Sequence, residues 1–132
     1  MTPCKILIID DDEDDVEILT KAFTDTGVID ICHVHSANQA FNYLADVAFE
    51  FLPKLIITDM HLAGVTGKEF LFNIKGLEKY KHIQVVIFSS AMSDQEFEKC
   101  RKLGALDYLI KPSTFGEYIR VATDIIGRIE LN

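Results

Sequence analysis

The sequence predicts a doubly wound α/β domain with five parallel strands and five helices on both faces, with 2-1-3-4-5 the strand order that would bring the polar strand ends together at one edge. Five short apolar runs, rich in Ile and Val, alternate with stretches whose apolar residues fall three or four apart. The runs are apolar nearly throughout, which suits a parallel sheet covered on both sides. No linker or low-complexity segment interrupts the alternation.

The first run is KILII (5–9). It passes into IIDDDEDD (8–15), where six acids stand in a row before a helix whose face carries Val16, Leu19 and Phe23. DICHV (30–34) is the second strand, and Phe41, Leu44 and Val47 or Ala48 share a face of the second helix. LIIT (55–58) precedes a third helix marked by Phe70, Leu71 and Ile74 after Gly67. VVIF (85–88) leads into a fourth helix with Phe97, Cys100 or Arg101, and Leu103, stopped by Gly104. YLI (108–110) is followed by a fifth helix with Ile119, Ala122, Ile126 and Ile129, ending near Leu131. Ser93 with Glu96, and Thr114 with Glu117, are spaced as capping boxes.

The 132 residues and 48% hydrophobic content suit one compact core, so a single domain over 1–132 with no output domain is expected. A formal net charge of -8 opposes phosphate backbones and anionic surfaces, which speaks against direct nucleic-acid or membrane binding. Cys4, Cys32 and Cys100 are few, scattered and odd in number, and read as free thiols. The N-terminus lacks a signal-peptide pattern and no apolar run is long enough to span a bilayer, so a soluble cytoplasmic protein is expected.

A doubly wound sheet binds its ligands at the carboxyl ends of its strands, where the strand order reverses. There the sequence places Asp10 and Asp11, Asp59, Ser89 and Ser90, and Lys111 before Pro112. Carboxylates a few Å apart repel by about 4 kcal/mol per pair at an effective dielectric near 20, so they must raise their pKa values or recruit a cation. A hard divalent ion such as Mg²⁺ is the natural remedy, and the site is then poised for phosphoryl transfer to a carboxylate nucleophile.

With these residues in place, the chain resembles the receiver domain of two-component response regulators, of the stand-alone, single-domain type. The resemblance rests on IIDDDEDD with Asp10 and Asp11, LIITDMHLAGVTG with Asp59, VVIFSS with Ser89 and DYLIKP with Lys111. The separations agree as well, 30 positions from Asp59 to Ser89 and 22 from Ser89 to Lys111. It implies a flavodoxin-like fold and a phosphorelay module that is a phosphoacceptor switch rather than a turnover enzyme. Asp59 would accept a phosphoryl group from a histidine kinase or histidine phosphotransfer protein. Asp11, Asp59 and the backbone carbonyl of His61 would ligate Mg²⁺, with Asp10 acting largely through water. Lys111 and Ser89 would contact phosphoryl oxygens. Tyr108 would follow the Ser89 hydroxyl and alter the surface of the fourth helix, fifth strand and fifth helix, where a downstream protein docks; homodimerisation is compatible with this.

Some residues depart from the family pattern. Ala63 stands where Pro is usual, leaving Gly64 and Gly67 as the turn residues of that loop, and Ser89 replaces the commoner Thr. His61 and Ala91 occupy positions that modulate the lifetime of the acyl phosphate in that family. Either Ser89 or Ser90 could face the site, with spacing favouring Ser89, and Tyr108 is open to a plain core role.

Asp12, Glu13, Asp14 and Asp15 read as helix-opening acids that favour the positive end of the helix dipole. An EF-hand over Asp10, Asp12 and Asp14 fails at Asp15, where Gly is needed, and at Lys21, where Glu is needed. His33, His35 and His82 show no convergent metal spacing, and Phe115, Tyr118 and Arg120 are candidates for an exposed partner surface. Two other functions remain to be distinguished: a haloacid-dehalogenase-like phosphatase with Asp10 as nucleophile and Asp12 as general acid, and a pseudo-receiver that binds without being phosphorylated.

Overall fold

The structure, a computed structural model, describes residues 3–91 and 93–129. Five strands, β1 (Ile6–Ile9), β2 (Ile31–Val34), β3 (Leu55–Asp59), β4 (Gln84–Ser89) and β5 (Asp107–Ile110), form one sheet in the order β2-β1-β3-β4-β5. All four neighbouring pairs are parallel. Five helices intervene: α1 (Glu13–Asp25), α2 (Ala37–Asp46), α3 (Gly67–Lys75), α4 (Asp94–Lys102) and α5 (Phe115–Arg128), with a short 3-10 turn at Phe49–Phe51. The expected fold class and strand order are those observed. The expected end of the fifth helix near Leu131 lies outside the described residues.

Two cores sandwich the sheet, and strand periodicity sorts residues between them. Leu7, Ile9, Ile56, Val85, Ile87 and Tyr108 pack with α2, α3 and α4. Their neighbours Ile6, Ile8, Leu55, Ile57, Val86 and Phe88 pack with α1 and α5. Alternate side chains of a strand point to opposite faces, so both faces of the central strands are buried and the runs are apolar throughout. The same alternation, carried past the last apolar residue, decides which functional side chains face one another.

Helix signals in the sequence locate the helix starts well and the buried faces less well. Asp12 caps α1 and accepts from the N–H groups of Asp14 and Asp15, while Ser93 and Thr114 cap α4 and α5. The reciprocal capping box forms at Thr66 and Glu69, at the start of α3. Gly104, at φ +102°, supplies the left-handed residue after α4. In α5 the expected Ala122 is buried, and the expected Ile119, Ile126 and Ile129 pack partly buried against the same core. Tyr118 and Ile125 are the more deeply buried neighbours that the sequence pattern did not single out, and they widen the apolar face of the helix.

Cys4, Cys32 and Cys100 form no disulfide with one another, as expected. Burial pushes the Cys4 thiol up to about 12, against the opposing effect of its 3.1 Å contact with the Tyr43 hydroxyl. Among the described residues no helix is long and apolar enough to cross a membrane.

Candidate functional site

Asp59 is the last residue of β3 and Ser89 the last of β4, while Asp10 directly follows β1 and Lys111 directly follows β5. Continuation of the alternation gives Asp10 and Asp59 the parity of Ile8 and Ile57, the α1/α5 face. Ser89 has the parity of Ile87, the opposite face. The carboxyl edge of the sheet thus carries two groups, separated by one residue of parity.

The first group is charged. Carboxylate oxygens of Asp10, Asp11 and Asp59 lie within 4.8 Å of one another. Asp10 and Asp59 are buried, at 6% and 8% exposure, whereas Asp11 is exposed and opens the group to solvent. Lys111 Nζ lies 3.4 Å from Asp10 Oδ2 and 3.5 Å from Asp59 Oδ2. Its shortest bond goes elsewhere, to Asp15 Oδ2 at 2.6 Å. Asp15 stands in the first turn of α1, as expected of a helix-opening acid, and from there it is also an ion-pair partner of Lys111, a role its place in the acidic run does not reveal.

Burial pushes the Asp10 carboxyl above its ordinary range, opposed by the Asp12 N–H that donates to Oδ1 at 2.9 Å and by the Lys111 charge. Burial alone would lower the Lys111 ammonium, but the bond to Asp15 and the charges of Asp10 and Asp59 outweigh it and hold the lysine above its ordinary value. One cation is left to balance four carboxylates, so the pocket retains room for positive charge.

The loop after Asp59 is held tightly. His61 N–H donates to Asp59 Oδ1 at 3.4 Å. Gly67, which the sequence suggests as a turn residue, has no left-handed conformation; its role is close approach. A Cβ there would stand 2.5 Å from the Asp59 carbonyl oxygen and 3.0 Å from Met60 Cα, both backbone. Gly67 N–H also donates to the Met60 carbonyl at 2.9 Å, seating α3 on the end of β3. Gly64, at φ +82°, is the left-handed residue of this loop.

The second group is neutral. Ser89 is fully buried and Ser90 exposed. Ser89 Oγ donates to the Ala91 carbonyl at 2.6 Å, and Ala91 N–H donates back to Oγ at 3.4 Å. The Tyr108 hydroxyl, from β5, donates to that same Ala91 carbonyl at 3.5 Å. Tyr108 is 3% exposed and belongs to the α4-side core, so the core reading of this residue holds together with a contact to the Ser89 loop.

Other expectations are corrected. Tyr118 is buried rather than a surface residue; its phenol is pushed up by burial and by the charge of Asp15, which places α5 against the acidic pocket. Phe115 and Arg120 are exposed. His33 and His35, thought to lack a shared geometry, meet edge to face with ring centroids 4.6 Å apart and share a neighbour in Glu13. His82 packs against the Phe49 ring. The Asp12 carboxylate is occupied as the α1 cap, which removes the general acid that a phosphatase built on Asp10 needs.

Known proteins resemble this chain in sequence and in fold. The family described as "Response regulator receiver domain" matches residues 6–122. The two-component response regulator ARR6 of Arabidopsis thaliana is 30% identical over 94% of this chain and 70% of its own length. ORR1 of Oryza sativa subsp. japonica is 30% identical over 82% of this chain, which spans about half (49%) of that relative. The crystal structure of the phosphorylated cyanobacterial phytochrome response regulator RcpA superposes with a TM-score of 0.81 at 23% identity, covering 95% of this chain and 92% of that one. The Mn(2+)-bound form of response regulator Rcp1 gives 0.76 at 23%, covering 95% and 93%.

Proposed function

From the premise that this chain belongs to the response regulator receiver family, we propose that it is a phosphorylation-controlled switch whose acceptor is Asp59. The observation that carries the reading is the buried Asp59 carboxylate set between two further acids and within 3.5 Å of the Lys111 ammonium.

A carboxylate oxygen of Asp59 attacks the phosphorus of a phosphohistidine on a histidine kinase or phosphotransfer protein. The phosphorus–nitrogen bond breaks, the imidazole leaves with the electron pair, and an acyl phosphate remains on Asp59. Lys111, held protonated by its acidic neighbours, faces an oxygen of the transferred group and offsets its charge. To do so it exchanges its 2.6 Å bond to Asp15 for one to the phosphoryl oxygen, so Asp15 acts as a parking acceptor that keeps the lysine in place beforehand.

The donor set fits Mg²⁺: three carboxylates in mutual reach, all hard oxygen ligands, with the exposed Asp11 leaving space for water. Asp10, Asp11, Asp59 and the His61 carbonyl would hold it, and it would supply the positive charge that four carboxylates and one lysine lack. Two neighbours of like fold, one phosphorylated and one bound to Mn(2+), agree with this reading.

Ser89 and Tyr108 carry the response. A phosphoryl oxygen on Asp59 is a stronger acceptor than a neutral carbonyl. Rotation of Ser89 Oγ toward it releases the Ala91 carbonyl, leaving that acceptor to Tyr108 and moving the α4–β5–α5 surface on which a downstream protein docks.

The test is incubation of the protein with acetyl phosphate and Mg²⁺, followed by intact mass. One added phosphoryl group is expected on the parent and none on Asp59→Asn. An equal gain on the variant overturns the assignment, and a label mapped to Asp10 indicates the phosphatase reading. No gain on the parent indicates a pseudo-receiver.

A further inference from the structure

One strand outward from the acidic pocket, a second set of ligand-type side chains converges at the sheet edge. His33 lies on β2 opposite Ile8 of β1, on the face covered by α1, and His35, two residues on, shares its side. Glu13, the first residue of α1, completes the group. The ligating atoms of the three residues lie within 4.8 Å of one another, and His35 Nε2 is 3.4 Å from Glu13 Oε1.

The tautomer of His33 is fixed by its other contact. Its Nε2 lies 2.8 Å from the backbone carbonyl oxygen of Asp10. A carbonyl only accepts, so Nε2 carries the proton, and in the neutral ring the lone pair sits on Nδ1. Metal-ligating histidines are commonly held this way, with the distal N–H donated to a carbonyl that fixes ring orientation and raises basicity.

We propose that Glu13, His33 and His35 form a second cation site, separate from the acidic pocket, that takes a first-row divalent ion such as Zn²⁺ in preference to Mg²⁺. Two imidazoles and one carboxylate suit Zn²⁺, whereas the all-oxygen pocket suits a hard ion. Two donors on one Zn²⁺, each at about 2.1 Å, stand no more than about 4.2 Å apart, so the group must draw in slightly on binding. The side chains that move are the free ones: those of His35 and Glu13 are 52% and 70% exposed, and His33 is the anchored ligand. Remaining coordination positions face water. An ion held here ties the edge strand β2 to the start of α1, on either side of the turn that carries Asp10 and Asp11.

The test uses the whole protein and Zn²⁺ itself, titrated against a chromophoric chelator with Mg²⁺ in excess to fill the acidic pocket. One tightly held Zn²⁺ per chain is expected, weakened by about tenfold or more in His35→Gln and in Glu13→Gln. Both residues are exposed, so these variants keep the fold, which circular dichroism verifies. Asp11→Asn is expected to leave Zn²⁺ binding unchanged. Co²⁺ substitution should give a visible spectrum without the thiolate charge-transfer band that binding at Cys4, Cys32 or Cys100 would produce. Displacement of Zn²⁺ by Mg²⁺, loss in Asp11→Asn, full retention in both His35→Gln and Glu13→Gln, a thiolate band, or no stoichiometric binding each overturns the site. The readout is metal binding alone, so it stands or falls apart from phosphoryl uptake.

Discussion

At the carboxyl edge of one sheet, the α1/α5 face ends in ion pairs between residues about a hundred positions apart, while the α4 face ends in hydroxyls that share one carbonyl. Lys111 reaches Asp10 and Asp15 across 101 and 96 residues of sequence. The Ser89 hydroxyl instead bonds to Ala91, two residues away. The first arrangement is fixed by several partners at once and by burial. The second is satisfied by its own loop and can be exchanged for one stronger acceptor at little cost, since a neutral hydrogen bond is worth only about 1 kcal/mol net. The proposed function draws on both, a rigid place for chemistry and a side chain whose bond can be exchanged.

The largest effect that sharpens this contrast is at Lys111. Lys111→Ala removes the one cation of the charged group, and phosphoryl uptake from acetyl phosphate should slow on the order of 100-fold, read from an intact-mass time course. A rate within a factor of two of the parent would show that the lysine does not meet the transferred group. Next is Gly67→Ala, which places a methyl 2.5 Å from the Asp59 carbonyl oxygen and forces backbone to move. A stability loss of about 1–3 kcal/mol is expected by urea denaturation, with uptake reduced as well. Unchanged stability would mean that the end of β3 is less rigid than the comparison requires.

A smaller effect separates the two partners of Lys111. Asp15→Asn removes the charge of the competing acceptor and weakens its hold on the lysine but leaves Asp10 and Asp59, so uptake should rise by a factor of a few, about 0.5–1 kcal/mol in the barrier. A fall in rate would show that Asp15 positions the lysine actively instead of parking it. The smallest effect belongs to the neutral group. Ser89→Ala and Tyr108→Phe should each change stability little, but their effects should be non-additive by about 0.5 kcal/mol because they share the Ala91 carbonyl. Strict additivity in the double-mutant cycle would separate Tyr108 from the Ser89 loop.

Much of this was legible in the chain before any coordinates. The apolar runs ending at Asp10, Asp59 and Ser89 and before Lys111 mark strands whose tips must adjoin in a doubly wound sheet, and those strands are observed with no bound shifted by more than one residue. Helix starts followed from Ser93 and Thr114 as side-chain caps. The face of α5 was legible in part: Ala122, Ile119, Ile126 and Ile129 do meet the core, but the deeper burial of Tyr118 and Ile125 was not marked by the pattern. Asp15 was hidden inside a run of acids that all suit a helix N-terminus; only its place on the inward side of the first turn distinguishes it from Asp14. A signal existed in principle: Asp15 stands next to Val16, the first buried residue of α1, whereas Asp14 faces solvent.

The order of residues by itself determined the kind of elements, their boundaries near the strand tips and the parity that sends Asp10 and Asp59 to one face and Ser89 to the other, because these depend on local periods of 2 and 3.6. Which carboxylate takes the shortest bond to Lys111, which carbonyl Ser89 and Tyr108 share, and that two histidines and a glutamate meet at the sheet edge were decided by tertiary structure. Those contacts join segments brought together only when four crossovers and a final helix close around two cores, and no local period encodes the distance between them.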